Sequence, residues 1–226
     1  MKGSVDPVTE VDLDAERAIF EVLGRHRPDD SILAEESGGV DTDGRQWVID
    51  PLDGTVNFIQ GLGHSAVSIG LWSAGEPVVG VVVDVARDRV HRAEAGAGAE
   101  VDGEATSVSS AAVGDAVVAT GYPYDRRERA AAYGELTGLL LAEFRGVRRM
   151  GSAALDFAWV AEGRLDGYTE VGLQPWDAAA GILLVRESGG LAIDESGRPA
   201  GLRSRTFACG NTAVAGRLAE IVGEFV

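Results

Sequence analysis

The chain has 226 residues, 45% hydrophobic and 25% charged, enough to bury a sizeable core as one compact unit or two tightly joined halves. Its formal net charge of −16 argues against a nucleic-acid backbone or an anionic membrane surface as partner. Cys209 is the only cysteine, which excludes an intrachain disulfide and fits a reducing cytoplasm. No apolar run approaches the ~20 residues of a membrane span, and no hydrophobic segment follows Met1-Lys2-Gly3-Ser4 to make it a signal peptide.

In chain order, Leu13 to His26 carries Ile19, Phe20, Val22 and Leu23 at helical spacing and ends at Pro28-Asp29-Asp30. Ser31 to Ala34 and Trp47 to Ile49 read as short buried strands with carboxylates at their C-terminal ends. Ser65 to Trp72 and Glu76 to Val85 read as paired strands across Ser73-Ala74-Gly75, extended by Arg89 to Ala95. Ala116 to Thr120 is a further strand running into Gly121-Tyr122-Pro123. Beyond it, helical patterns at 126–144, 152–162, 176–188 and 212–225 alternate with strand-like Gly167–Val171, Leu191–Asp194 and Thr206–Cys209. A strand meander followed by β/α alternation implies a layered, mixed α/β fold of the α+β type. It divides into an N-terminal part, 1–145, with an antiparallel sheet and the acidic motifs, and a C-terminal α/β part, 146–226, packed as one unit.

Four acidic stretches carry the chemistry: Asp12, Glu35-Glu36, Asp50-Pro51-Leu52-Asp53-Gly54-Thr55, and Trp176-Asp177. Gathered carboxylates repel one another unless cations hold them, and oxygen ligands without His or Cys point to Mg²⁺ rather than zinc. Pro51 keeps Asp50 out of helical conformation. Gly54 and Thr55 then offer backbone N–H groups at a possible helix start, a ready anion site. Taken alone, Asp50–Thr55 reads equally as a turn. Glu35-Glu36 is a poor choice for stability at an apolar strand end, which favours a metal site. Asp177 alone reads first as a helix cap. His26, His64 and His91 lack partners at ligand spacing, and Cys209 reads as a small buried residue.

Asp6-Pro7-Val8-Thr9-Glu10-Val11-Asp12, Ala34-Glu35-Glu36-Ser37-Gly38, the run from Trp47 through Asp50-Pro51-Leu52-Asp53-Gly54-Thr55 to Phe58, Arg149-Met150-Gly151-Ser152-Ala153-Ala154 and Pro175-Trp176-Asp177 through Gly181 occur in one order. In combination they resemble the inositol monophosphatase family, from residue 2 nearly to the end. The resemblance implies a layered αβαβα sandwich, like that of the inositol monophosphatases and fructose-1,6-bisphosphatases, and a cytoplasmic homodimer. It also implies a lithium-sensitive phosphomonoesterase with two or three Mg²⁺ per site. By motif match Glu35, Asp50, Asp53 and the Leu52 carbonyl would bind Mg²⁺, with Asp177 holding a second ion alongside Asp50 and Asp53. Gly54 and Thr55 would contact phosphate, Asp12 and Thr55 would orient the attacking water, and Glu36 would support the metal ligands. Glu170 would accept substrate hydroxyls, beside a pocket wall of Ser152 and Ala153. Family members usually carry one or more helices ahead of the Lys2-Gly3-Ser4 segment, so an apolar patch is expected where such a helix would lie.

The implied reaction is hydrolysis of a small polyol or sugar phosphate, foremost myo-inositol 1-phosphate, by a metal-activated water. Fructose 1,6-bisphosphate, histidinol phosphate and nucleotide 3′-phosphates are rival substrates. A non-catalytic regulatory or RNA-polymerase-binding role is a rival of another class.

Overall fold

Residues 8–225 are described by the structure, a computed structural model. Met1–Ser4 and the Asp6-Pro7 head of the first motif lie outside them. The chain begins with helix α1 (Glu10–His26), strands β1 (Ser31–Ala34), β2 (Gly38–Gly39) and β3 (Gln46–Asp53), and a short helix α2 (Thr55–Ile59). A meander follows through β4 (Ala66–Ser73), β5 (Glu76–Asp84), β6 (Arg89–Glu94), β7 (Gly98–Val101) and β8 (Glu104–Ala105). The remainder runs β9 (Val117–Thr120), α3 (Ala130–Glu143), β10 (Gly146–Arg148), α4 (Ala153–Ala161), β11 (Gly167–Val171), α5 (Pro175–Glu187), β12 (Leu191–Ile193), β13 (Thr206–Gly210) and α6 (Thr212–Phe225).

Two mixed sheets result. The first has the order β2-β1-β3-β4-β5-β6-β7-β8 and is antiparallel except where β1 runs parallel to β3. The second has the order β10-β9-β11-β13-β12, with β10, β9 and β11 parallel. Strand pairing passes from one sheet to the other between β8 and β9. Helices α4 and α5 lie between the sheets, α1 covers the outer face of the first against β3, and α3 and α6 cover the second. The layers are therefore αβαβα, as expected.

Glycines set how closely the middle layer approaches. Gly70 and Gly80 are opposite each other on β4 and β5. A Cβ on Gly70 would lie 2.9 Å from Ala179 Cβ, and one on Gly80 2.6 Å from the Ala180 carbonyl. Only a bare backbone lets α5 seat in that notch. Ala178–Val185 are all buried as a consequence. Helix α1 is the opposite case. Its buried residues are Asp12 and Glu16, while Val11, Leu13 and Val22 stay exposed.

Several elements depart from the sequence expectation. β3 continues past Pro51 to Asp53, because its register with β4 shifts between Asp50 and Asp53 and no ladder hydrogen bond is asked of the proline. α3 starts at Ala130 rather than near 126, since the Glu128 and Arg129 amides turn back onto the Asp125 carbonyl at 2.9 and 3.1 Å. β2, β7, β8 and β10 are two to four residues long, too short for a period of two to register.

Candidate active site

The acidic stretches converge because each sits at an element end that opens toward one cleft. β1 and β3 run parallel, so Glu35 and Asp50 leave the sheet at the same edge. The bulge beyond Asp50 returns Asp53 to that side, and Asp177 enters from the first turn of α5. One carboxylate oxygen each from Asp50, Asp53 and Asp177 lie within 4.8 Å of one another. The cleft, about 150 Å³, is walled by Glu35, Asp50, Leu52, Asp53, Gly54, Thr55, Ala153, Glu170 and Asp177, among others.

Each carboxylate is held. Asp50 accepts the Leu52 amide at 3.0 Å. Asp53 accepts the Ser152 hydroxyl at 2.5 Å and the Ala154 amide at 2.7 Å, at the start of α4. Asp177 accepts the Gln174 amide at 2.7 Å and closes the capping box of α5. Asp177 is therefore not the N-cap itself, which is Gln174, but the third helical residue, closing the capping box with one part of its acceptor capacity and joining the cluster with another.

The charges themselves are poorly accommodated. Burial, followed by Glu35, Asp53 and Asp177, pushes the Asp50 carboxyl well above the usual range. Burial and then Asp53 do the same to Asp177. Burial raises Asp53 to about 6 against the lowering donors Ser152 and Ala154. Three acids, one buried and two half-buried, that share a few ångströms with no cationic side chain between them among the described residues suit a hard divalent cation. The donor set fits: carboxylates and the Leu52 carbonyl, with no sulfur or imidazole.

Behind this cluster Asp12 is fully buried. One of its oxygens takes the Thr9 amide at 2.8 Å and the Thr9 hydroxyl. The other faces the Thr55 hydroxyl at 3.2 Å, which also lies 3.0 Å from the Leu52 carbonyl. Gly54 has φ 85° at the cap of α2, a left-handed conformation that favours glycine. A Cβ there would also meet the His64 carbonyl at 2.9 Å. Glu170, on β11, receives the Tyr168 hydroxyl at 2.7 Å. Burial raises it to about 7, although Tyr168, Arg149 and Arg126 all pull it down.

The whole chain, residues 1–225, matches the sequence profile of the Inositol monophosphatase family. The chain belongs to the inositol monophosphatase family. It is 42% identical over 225 residues to the inositol-1-monophosphatase of Rhizobium meliloti, covering 98% of this chain and 85% of that protein. It is 45% identical over 217 residues to the Nus factor SuhB of Escherichia coli K12, covering 94% and 81%. The crystal structure of extragenic suppressor protein suhB from Bartonella henselae superposes with a TM-score of 0.93 at 38% identity, covering 100% of this chain and 88% of that one. An inositol monophosphatase from Anabaena sp. PCC 7120 superposes at 0.90 and 39% identity, covering 99% and 89%. Family membership supports a phosphatase activity.

Within this inositol monophosphatase framework most residues singled out from the sequence share the cleft. Asp12 stands one layer back, behind Thr55. Ser152, 1% exposed, lies behind the wall and orients Asp53, whereas Ala153 lines the cleft itself. Glu36 meets α1 through its backbone, its amide donating to Glu16 at 3.1 Å. Sequence reasoning missed Glu16, although it lies four residues beyond Asp12 on the same helical face. Asn57 was missed as well. Its amide donates to the carbonyls of His64, Met150 and Gly151, strapping three segments around Gly54. Arg126, Arg149 and Tyr122 also line the cleft; Arg149 heads the Arg149–Ala154 motif but was given no role, and nothing in the local pattern of the other two marks them. The histidines stand outside the cluster, and burial lowers His64 to about 4. Cys209 is buried, as expected. Among the described residues no helix is long and apolar enough to cross a membrane.

Proposed function

We propose that this protein hydrolyses the phosphate monoester of a small polyol or sugar, foremost myo-inositol 1-phosphate, with Mg²⁺ as the resident ion. The observation that carries this reading is the Asp50–Asp53–Asp177 triad, Asp50 buried and the other two half-buried, with no cationic side chain paired to it among the described residues. Glu35, Asp50, Asp53, Asp177 and the Leu52 carbonyl would hold two or three ions, and Glu36 would support them through the loop that Glu16 anchors. A divalent cation in this setting neutralises phosphate charge and acidifies a water.

The chain's own groups supply the rest. Gly54 and Thr55 present backbone N–H groups at the start of α2, where the first amides of a helix lack internal partners. Asp12 Oδ1 would accept a hydrogen bond from the Thr55 hydroxyl, whose oxygen would in turn accept one from the nucleophilic water. Asp12 can be that acceptor because Thr9 occupies its other oxygen. Ser152 and the Ala154 amide keep Asp53 in place. Glu170 is positioned to accept a substrate hydroxyl, and Ala153 shapes the wall beside it. Positioning and electrostatics are what phosphoryl transfer asks of a protein. The family resemblance adds lithium sensitivity, a cytoplasmic location and a homodimer to this proposal.

A phosphate-release panel in Mg²⁺ tests the reading, using inositol 1-phosphate, fructose 1,6-bisphosphate, histidinol phosphate and adenosine 3′,5′-bisphosphate. Highest kcat/KM on inositol 1-phosphate is expected, and no release from any of them would refute it. A second reading draws on the 45% identity to the Nus factor SuhB: a transcription-associated role, alone or beside catalysis. Binding to RNA polymerase or nucleic acid that survives Asp50→Asn would favour it, against the expectation from a net charge of −16.

A further inference from the structure

Helix α2 and the loop after it carry the Gly54–Thr55 turn with little apolar packing. Val56, Phe58, Ile59 and Leu62 are exposed, and the buried residue of α2 is Asn57. Gly61 and Gly63 bend the loop at φ of 65° and 61°, and His64 then enters the core. Asn57 and His64 thus anchor this segment, and they are joined, because the Asn57 amide donates to the His64 carbonyl at 2.8 Å. The same carbonyl is what a Cβ on Gly54 would strike at 2.9 Å. His64 therefore supports the turn from beneath.

Its imidazole meets helix α4. The ring stands edge-on to Trp159 with centres 5.0 Å apart. Nε2 lies 4.0 Å from Asp156 Oδ1, about 1 Å beyond hydrogen-bond length. Asp156 is one turn past Ser152, whose hydroxyl holds Asp53 together with the Ala154 amide. The start of α4 thus carries both the Asp53 anchor and the seat of His64. From the other side, Arg87 donates to the Gly63 carbonyl at 3.2 Å and lies 4.9 Å from the Trp159 ring centre.

Both His64 ring nitrogens, Asp156 Oδ1 and Trp159 Nε1 are buried without a hydrogen-bond partner. Unpaired buried polar atoms are destabilising, and apolar side chains of the same shape would suit the space better. A cluster of them calls for a reason other than stability. Burial lowers His64 to about 4, and burial followed by Glu170 and Asp53 raises the Asp156 carboxyl. A neutral acid beside a neutral imidazole can share a hydrogen bond with no charge left buried.

We propose that His64 and Asp156 act as one buried pin that positions the Gly54–Thr55 turn against the start of α4, making both of them positioning residues for phosphate binding. This rests on the phosphatase reading of the cleft for what the turn binds. A turn that shifts relative to Asp53 no longer brings its amides and the ion to one phosphate, and the preorganised geometry is lost.

The test uses His64→Phe, which keeps a ring edge against Trp159, Asp156→Leu, which keeps the volume, Asp156→Asn, which keeps a donor, and the double variant His64→Phe with Asp156→Leu. Melting curves check folding. Each of His64→Phe and Asp156→Leu is expected to speed hydrogen exchange over residues 54–65 by about threefold or more, with exchange in β9 and β11 unchanged. Inorganic phosphate, titrated calorimetrically into Mg²⁺-loaded protein, should bind about three- to tenfold more weakly, as when one member of a coupled pair is removed. KM for inositol 1-phosphate should rise with it, while kcat and Mg²⁺ affinity stay within about threefold of wild type. Asp156→Asn should lie nearer wild type. The double variant should be no worse than the weaker single variant, since neither polar group is then left alone. Effects that multiply in the double variant overturn the pin, as does a lower Tm with phosphate affinity and exchange unchanged. Should Asp156→Leu fail to fold, His64→Phe decides, and unchanged exchange and phosphate affinity there overturn the pin. Exchange and phosphate titration need no turnover. Absence of hydrolysis of any ester therefore removes the phosphatase reading, and the exchange comparison upholds or overturns the pin by itself.

Discussion

Helices α1 and α5 each deliver an aspartate to the same region by opposite means. α5 is buried along Ala178–Val185 and seated in the notch of Gly70 and Gly80, so Asp177 is positioned by the core. α1 buries only Asp12 and Glu16, so its place depends on polar contacts: Thr9 to Asp12, Asp12 to Thr55, and Glu16 to the amides of Glu36 and Ser37. One side of the site is fixed by packing and the other by hydrogen bonds. Substitutions on α5 should therefore register as stability, and those around α1 as function.

The largest effect is expected on the hydrogen-bonded side. Thr55→Ala removes the hydroxyl facing Asp12 Oδ1 and should lower kcat by about 10²–10⁴, with Mg²⁺ affinity within about threefold of wild type. Asp50→Asn, which removes a ligand charge, should lose both. Steady-state kinetics beside calorimetric Mg²⁺ titration distinguish them, and near-normal kcat in Thr55→Ala would remove the Asp12–Thr55 pair from the chemistry.

On the packed side, Gly80→Val drives a side chain into the Ala180 carbonyl and should cost about 2–3 kcal/mol, or on the order of 5–10 °C in Tm. Leu13→Ser or Val22→Ser on exposed positions of α1 should stay within about 0.5 kcal/mol. Equal losses at both places would show that α1 is packed more like α5 than its exposure indicates.

The triad gives a pH test that spans both sides. Asp53 rises to about 6, Glu170 to about 7, and Asp50 and Asp177 also rise. The folded metal-free protein thus keeps protons that the unfolded chain has released. The contribution of these groups to stability is fully present below the ordinary carboxylate range and is lost as pH rises through the raised values. Melting in chelator should drop by on the order of 5 °C between about pH 5.5 and 8, and Mg²⁺ should restore it at the upper end. Asp177→Asn should flatten that slope. A flat profile in wild type would mean the carboxylates are better compensated than their geometry implies.

A modest effect is expected at Thr9→Ala, which opens the α1 capping box and should cost about 1 kcal/mol. Activity should fall with it, because Asp12 loses the Thr9 hydroxyl and keeps only the Thr9 backbone amide on that oxygen. Stability falling with activity untouched would assign Thr9 to the helix alone.

How legible this was in the sequence follows the same division. Asp50, Asp53, Glu35 and Asp177 stand at the ends of apolar runs, and their layered setting was readable because period and motif agreed. Glu16 and Asn57 were not, since a glutamate on a helix and an asparagine in a turn look solvated until long-range contacts are known. Arg126 and Arg149 are 23 positions apart and meet only through the second sheet. Pro51 argued for ending β3 early, and the register shift that accommodates it is a property of the pairing with β4 rather than of either strand. On α1 the helical period put Ile19, Phe20 and Leu23 on the half-buried stripe of Asp12 and Glu16, but did not show that the two acids would be its most buried members.

The central claim is that the acidic cluster is a cation site serving phosphate chemistry. Its most direct test is phosphate release from myo-inositol 1-phosphate by chelator-treated protein as Mg²⁺ is added back. No turnover in chelator is expected, with a saturable return in Mg²⁺ that Asp50→Asn abolishes. Full turnover in metal-free buffer, or turnover indifferent to Asp50→Asn, would contradict it.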